Sequence, residues 1–405
     1  MARLDSRLPR SSQVMIMVSG PDGPGITARL TRILEETGAQ LLDIEQVVVR
    51  GHLSLGLIVA LPSDQGVLKE LLFAAKELGV SLDFHPMDEA AQQGRVAGGE
   101  RYVVTAIGPC LGANEVCALA TTLAEYSGNI ARISRLSHHD LRSLEIHVDL
   151  PSKKNAIPLK EALLRRGMQS SFDIALQREG LFRRSKRLVV MDMDSTLIKI
   201  EVIDELAKAH GVAEQVAQVT KRAMAGEMDY DASLRERLSL LAGMEVSVLR
   251  KLSSELPLTD GAERLIRVLR RLGYRTAVIS GGFSIAADAL KAQLGIDYAY
   301  SNVLEVVDGR LTGRVVGPVV NGARKAELLQ TIAQAEGVLL DQVIAVGDGA
   351  NDIPMLERAG LGIAFHGKAL LRAAADTSIS SGGLDSILYL LGISTQELEE
   401  VLRLP

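Results

Sequence analysis

The sequence predicts an α/β protein in three parts: two small modules of βαββαβ order, then a larger domain with a doubly wound parallel sheet and a helical insertion. Three observations predict this. Apolar periodicity yields the same six elements twice, over residues 14–88 and 101–180. From 185 onward, strands alternate one by one with helices, as parallel pairing requires. Three of those later strands, RLVVMD, YRTAVIS and QVIAVGD, end in polar, glycine-rich or acidic turns, and open α/β sheets hold their ligands beyond the carboxyl ends of their strands.

In the first copy, VMIMVSG reads as a strand, GITARLTRILEETG as a helix, and LLDIEQVVVR and HLSLGLIVALP as two strands joined at Gly51. VLKELLFAAKELG and SLDFHPMD supply the second helix and last strand, and the order is ferredoxin-like. AAQQGRVAGGE, 90–100, has the composition of a linker. The pattern then restarts with RYVVTAIG and closes with FDIALQREG, Gly108-Pro109 falling where Gly20-Pro21 fell, which points to duplication of one module. We place the domains at 13–89, 100–178 and 185–395. Within the last, a helical stretch over about 202–257 is too long for an ordinary connection and is expected to cap the strand ends. LEVVDGRLTGRV, 304–315, alternates about Asp-Gly and predicts a β-hairpin.

A chain of 405 residues exceeds one ordinary core, and 47% hydrophobic content supports packed globular units. Aromatic residues are only 3%, tryptophan is absent and net charge is −5, all of which argue against a nucleic-acid partner. The one dense basic cluster, Arg183, Arg184, Lys186 and Arg187, reads as a solvated linker ahead of a buried strand. Cys110 and Cys117 lie seven apart on a predicted helix and are expected to be buried thiols on one face, as in a reducing compartment. The first residues lack a signal peptide's apolar core, and no apolar stretch reaches membrane-spanning length. The expectation is a cytoplasmic protein with no membrane partner.

In VVMDMDSTLI, 189–198, alternation along an extended segment puts Asp192 and Asp194 on one side. Two such charges need a partner, and oxygen-only carboxylate sites suit a hard cation such as Mg²⁺. VGDGANDIPML, 346–356, adds Asp348 and Asp352 in a glycine-rich turn with Pro354 near a helix start. VISGGFS brings Ser280, Gly281 and Gly282 to the start of a helix, in outline a phosphate cradle, although strand-to-helix turns favour serine and glycine in any case. Lys325 falls at another helix start, an unfavourable place for a cation unless anions lie nearby.

Together DMDST, Ser280 with Gly281, Lys325 and GDGAND, in that order over about 185–395, resemble the haloacid dehalogenase superfamily of phosphohydrolases, whose fold is Rossmann-like. The resemblance implies Asp192 as nucleophile, Asp194 as acid and base, and Lys325 as charge compensator. Mg²⁺ would be held by Asp192, the main-chain carbonyl of Asp194 and Asp348, with Asp352 supporting them and Asn351 touching substrate. Residues 13–178 resemble tandem ACT domains, the small amino-acid-binding modules, best at GPDGPGI, 20–26. This implies an effector site at Asp22 and Gly25, with L-serine the favoured effector, and a homodimer. The second copy reads GPCLGAN, with Cys110 in place of Asp22.

DMDSTLIKIEVIDELA and the cap segment AMAGEMDYDASLRERLSLLAG further resemble the phosphoserine phosphatase family. That implies Glu201 for the substrate ammonium and Arg237 for its carboxylate, with Met224 and Tyr230 as apolar cap contacts. The implied reaction is hydrolysis of O-phospho-L-serine to L-serine, the last step of serine biosynthesis. Two alternatives stand beside it: a related phosphatase for another small phosphate ester or a phosphoprotein, and a non-catalytic amino-acid sensor.

Overall fold

The computed structural model describes residues 12–403 apart from 63–65, 88–98, 138–141, 169 and 171; residues 90–98 of the expected linker lie outside the described residues. The chain divides into two compact units, 1–97 and 98–405.

The first unit contains β1 (Ser12–Pro21), α1 (Ile26–Glu36), β2 (Gln40–Val49), β3 (His52–Leu61), α2 (Gly66–Leu78) and β4 (Ser81–Pro86). Its antiparallel sheet has the order β2-β3-β1-β4. Strand alternation turns Val14, Ile16, Val18, Leu53, Leu55 and Leu57 to one face, where Leu30, Ile33 and Leu71 of the two helices close over them. Arg50 and Gly51, at φ +50° and +77°, form the two-residue turn between β2 and β3, whose twist suits a hairpin.

The second unit opens with the repeat: β5 (Glu100–Ile107), α3 (Ala113–Glu125), β6 (Asn129–Arg135), β7 (Ser143–Leu150), α4 (Lys153–Met168) and β8 (Asp173–Arg178), with sheet order β6-β7-β5-β8. Cys110 precedes α3 rather than lying on it, and both cysteines are exposed, contrary to expectation. The physical reason is the cap: Gly108-Pro109 ends the strand, and the helix starts only after Gly112, whose N–H donates to Glu115 Oε2 at 2.7 Å.

The larger domain follows α5 (Leu181–Arg184) and begins with β9 (Leu188–Met191). Four cap helices come next, α6 (Val202–His210), α7 (Ala213–Met224), α8 (Tyr230–Ser239) and α9 (Val246–Ser254), and then α10 (Ala262–Arg271). The chain continues through β10 (Arg275–Phe283), α11 (Ser284–Leu294), β11 (Tyr298–Val307), β12 (Arg310–Val316) and α12 (Gly322–Ala335). β13 (Val343–Gly347), α13 (Ile353–Arg358), β14 (Leu361–Phe365), α14 (Ala369–Ala374), β15 (Thr377–Ile379), α15 (Ile387–Leu390) and α16 (Thr395–Arg403) complete it. The sheet order is β12-β11-β10-β9-β13-β14-β15. It is parallel except at β12, because the Asp308-Gly309 turn joins β11 and β12 as the expected hairpin and such a tight connection permits only antiparallel pairing. Val189 and Met191 enter the core that holds Leu265 and Leu269 of α10, while Leu188 and Val190 enter the opposite core with Leu328 and Leu329 of α12. This two-sided burial explains the unbroken apolar run of β9. No helix among the described residues is long and apolar enough to cross a membrane.

The repeat in this unit uses its remaining sheet face to hold the larger domain. Ile107 and Ala175 share an apolar core with Ile387, Leu388 and Leu390. Around them, Asp173 accepts N–H bonds from Ser380 and Ser381 at 2.8 and 3.3 Å, Gln177 Nε2 donates to Leu390 O at 3.0 Å, and Thr377 Oγ1 donates to Ile174 O at 3.2 Å. Half of the basic cluster departs from the solvated linker expected: Arg183 is buried in this seam against Glu145, and Lys186 is buried with its Nζ 2.6 Å from Asp341 O, while Arg184, which also reaches Glu145, and Arg187 are exposed. Burial pushes Lys186 down to about 8. Burial alone would raise Glu145, but Arg183 and Arg184 outweigh it and hold the carboxyl below its usual range. Glu145→Ala strands the Arg183 guanidinium in this seam, and we expect it to lower stability by about 3–5 kcal/mol, seen as a drop in denaturation midpoint; an unmoved midpoint would show that the ion pair does not hold the seam.

Candidate active site

The first strand of the larger domain stops pairing at Met191, and the N–H of Asp192 closes onto Val346 O at 2.9 Å. Asp192 (φ −68°, ψ 163°) and Asp194 (φ −67°, ψ 134°) are themselves extended, but a helical turn, Met193–Leu197, begins between them, so the expected strand alternation does not run on past the strand. Both nevertheless line one cavity of about 700 Å³ beneath the cap. Ser195, at φ +56°, then turns the chain away, and its hydroxyl donates to Glu201 Oε1 at 2.8 Å.

Lys325 is fully buried in the first turn of α12 and lies behind this cavity. Its Nζ donates to Asp192 Oδ1 at 2.6 Å and to Asp352 Oδ1 at 2.7 Å. The other oxygen of Asp352 accepts the N–H groups of Asp348 and Gly349 at 3.2 and 3.1 Å. Asp192, Asp348 and Asp352 bring carboxylate oxygens within 4.8 Å of one another. Three buried acids around one ammonium leave negative charge uncompensated: burial and then Asp352 raise Asp192 above the usual carboxylate range, and the same two causes push Asp348 up to about 6. Lys325 is raised despite its burial, because Asp192 and Asp352 favour the charged form. With Asp352 engaged on both oxygens, Asp192 and Asp348 are the acids with oxygens facing the cavity, an all-oxygen donor set that fits a hard cation.

Asp194 is turned differently. Its Oδ1 accepts the N–H of Val202 at 2.9 Å and its Oδ2 accepts the hydroxyl of Ser280 at 3.2 Å, while burial and then Glu201 push it up to about 7. Ser280, Gly281 and Gly282 also line the cavity, but they belong to the extended end of β10 and not to a turn, since the helix starts only at Ser284. Both glycines answer a close approach: a Cβ on Gly281 would overlap the Tyr230 hydroxyl, and one on Gly282 would press on Asp194 Oδ2. Tyr230, expected as an apolar contact, instead uses its hydroxyl, which donates to Gly281 O at 3.4 Å and is pushed up to about 12 by burial.

Glu201 and Arg237 reach the same cavity from the first and third cap helices, together with Asn351 and Met224, although Met224 is 70% exposed. Lys368 was not anticipated. It lines the cavity, gives its N–H to Asp348 O at 3.0 Å and holds its Nζ 3.8 Å from Asp348 Oδ2. Its signal was available, because His366-Gly367-Lys368 directly follows β14 and is a fourth strand-end turn. Asp22 and Gly25 belong to the other unit. Asp22 is exposed, and Gly25, at φ +94°, precedes a helix that no side chain caps.

A doubly wound sheet with a helical cap and a buried aspartate-lysine-aspartate cluster at its strand ends defines a haloacid dehalogenase-like hydrolase. The family of that description matches residues 186–360, and ACT domain families match 12–85 and 101–177. The chain is 44% identical over 387 residues to a phosphoserine phosphatase of Streptomyces coelicolor, covering 95% of this chain and 93% of that one. It is 41% identical to phosphoserine phosphatase SerB2 of Mycobacterium tuberculosis, covering 97% and 96%. A solved haloacid dehalogenase family hydrolase of Salmonella enterica serovar Typhi aligns with a TM-score of 0.62 at 30% identity, over 72% of this chain and 98% of that one. The chain belongs to the phosphoserine phosphatase family and is an enzyme of that hydrolase class, with two ACT domains ahead of the hydrolase domain.

Gly281→Ala tests the contact between cap and strand end. We expect the added methyl to hold Tyr230 away and lower kcat/KM by ~10²-fold, the scale of a 1 Å misplacement, with recovery in the Gly281→Ala/Tyr230→Ala double variant. A double variant no better than the single one would show that the glycine is needed for another reason.

Proposed function

We propose that the enzyme hydrolyses O-phospho-L-serine to L-serine and phosphate through an aspartyl-phosphate on Asp192, the last step of serine biosynthesis. What supports the reading is that one cavity is lined at once by Asp192 and Asp194, by Ser280 and Gly281, and by the cap residues Glu201 and Arg237. Phosphoserine carries a phosphate, an ammonium and a carboxylate, and this lining offers a complement to each.

In the first half-reaction a carboxylate oxygen of Asp192 attacks phosphorus, and the bond from phosphorus to the serine oxygen breaks. Asp194 gives its proton to that leaving oxygen, so serine departs neutral at its hydroxyl. In the second, a water attacks the aspartyl-phosphate, Asp194 takes back a proton, and Asp192 is released with phosphate. Lys325 keeps Asp192 oriented and offsets charge on its non-attacking oxygen. Ser280 and the Gly281 amide hold phosphate oxygens, while the Gly282 N–H is given to Ser280 Oγ at 2.8 Å, and Asn351 borders the same space. Glu201 takes the ammonium and Arg237 grips the carboxylate with two parallel bonds, an arrangement that a phosphopeptide, lacking both free groups, does not match. Mg²⁺ would be held by Asp192, Asp348 and the main-chain carbonyl of Asp194, where it supplies neutralisation of the charge between carboxylate and phosphate.

The ACT modules add amino-acid regulation, with L-serine the favoured effector at Asp22 and Gly25, and association into a homodimer. Supporting association, β2 is exposed along its whole length and shows Leu41, Leu42, Ile44, Val47, Val48 and Val49 to solvent.

Phosphate release from L-phosphoserine, phosphothreonine and a phosphopeptide, with and without Mg²⁺, tests the whole reading. We expect Mg²⁺-dependent preference for free phosphoserine and its loss in a folded Asp192→Asn variant; equal use of all three esters, or turnover by Asp192→Asn, would sink it. Arg237→Ala should weaken kcat/KM for phosphoserine by about 2 kcal/mol, a lost charged hydrogen-bond pair, while sparing a phosphate ester without a carboxylate. Equal losses on both substrates would remove Arg237 from substrate recognition.

A further inference from the structure

The phosphate-facing segment of β10 is an interruption in the sheet. Ile279 pairs with Tyr300 of β11, and the next pairing joins Phe283 to Asn302, so four steps along β10 match two along β11. The two extra residues push Ser280, Gly281 and Gly282 out of the ladder toward the cavity, as a bulge does. The Gly281 carbonyl is thereby separated from a backbone partner, and a buried carbonyl left unpaired is costly.

Asn302 answers this with its side chain. It is 1% exposed, and its Nδ2 donates to Gly281 O at 2.7 Å. Its Oδ1 accepts the N–H of Val320 at 2.8 Å. Val320 immediately precedes Asn321, the residue that caps the helix carrying Lys325. A single buried amide thus spans the bulge that presents Ser280 and the root of the helix that presents Lys325. Tyr230 reaches the same carbonyl, but from the cap and at 3.4 Å.

We infer that Asn302 is a positioning residue for phosphoryl transfer: its amide sets the Ser280-Gly281-Gly282 bulge against the Lys325 helix, and so fixes where the phosphate sits relative to Asp192. Asn302 touches neither substrate nor metal ligand and acts through Gly281 and Val320. The inference rests on the proposed reading of Ser280–Gly282 as the phosphate subsite.

The test uses the full chain with Mg²⁺ and inorganic phosphate as the probe. Asn302→Leu keeps the bulk and removes both hydrogen bonds; Asn302→Ser serves if the leucine variant does not fold. We expect the inhibition constant for inorganic phosphate to rise about tenfold and kcat per folded molecule to fall about tenfold, short of the ~10²-fold loss that a 1 Å misplacement brings. Competitive inhibition by L-serine, which reports Glu201 and Arg237, should stay at the parent value. Lower yield or melting temperature with parent kcat and parent phosphate affinity in the folded fraction would overturn the inference, because a merely structural residue behaves that way. Ser280→Ala separates the two levels: if it weakens phosphate binding and Asn302→Leu does not, the role of Asn302 fails alone, whereas if neither variant weakens it the subsite itself is misassigned.

Discussion

The buried ammonium of Lys325 is the constraint around which the larger domain is organised. A charge taken fully out of water survives only with partners at hydrogen-bonding distance, and the two partners come from different strand ends, Asp192 after β9 and Asp352 after β13. The ammonium therefore ties three segments far apart in sequence to one point. It also sorts the carboxylates. By engaging one oxygen of Asp352 while backbone amides engage the other, it leaves Asp192 and Asp348 to face the cavity.

Close backbone approach is the second organising feature. Gly281 and Gly282 have no room for a Cβ because a cap tyrosine and an acidic side chain lie against them. The cap is thus referenced to the strand end through a carbonyl, and the acid Asp194 is referenced to the same segment through Ser280. The two ACT modules diverge in a comparable local way. The helix of the second copy is closed by Glu115, while the equivalent helix of the first follows Gly25 with no side-chain cap, which agrees with the loss of Asp22 from the second copy.

Much of this is legible in the sequence because strands and helices impose short periods. Both βαββαβ repeats, the hairpin at Asp308-Gly309, the cap and the convergence of three strand ends all follow from local patterns, although the second strand end stays extended where a turn was expected. The acidic pair is legible from its place at a strand end, although a helical turn starting at Met193, and not strand alternation, sets the two side chains. What escapes is decided by tertiary partners. Arg183 and Lys186 look solvated in a basic run, but Glu145 and the Asp341 carbonyl lie tens to hundreds of positions away in sequence. Cys110 looks helical until the Glu115 cap sets the true start. Lys368 carries no motif of its own, and Asn302 is an asparagine in a strand whose meaning depends on a bulge in the neighbouring strand.

The seam between the second repeat and the larger domain has a consequence for how the chain can be divided. β15 is the last strand of its sheet, and β8 lies beside it with Asp173 and Ile174 bonded to its flanks. A fragment beginning near residue 185 would leave that edge bare together with the apolar surface around Ile387 and Leu390, an invitation to pair with another chain. The second repeat therefore belongs to one compact unit with the larger domain, 98–405, so that one of the two ACT modules serves as a wall of the hydrolase domain.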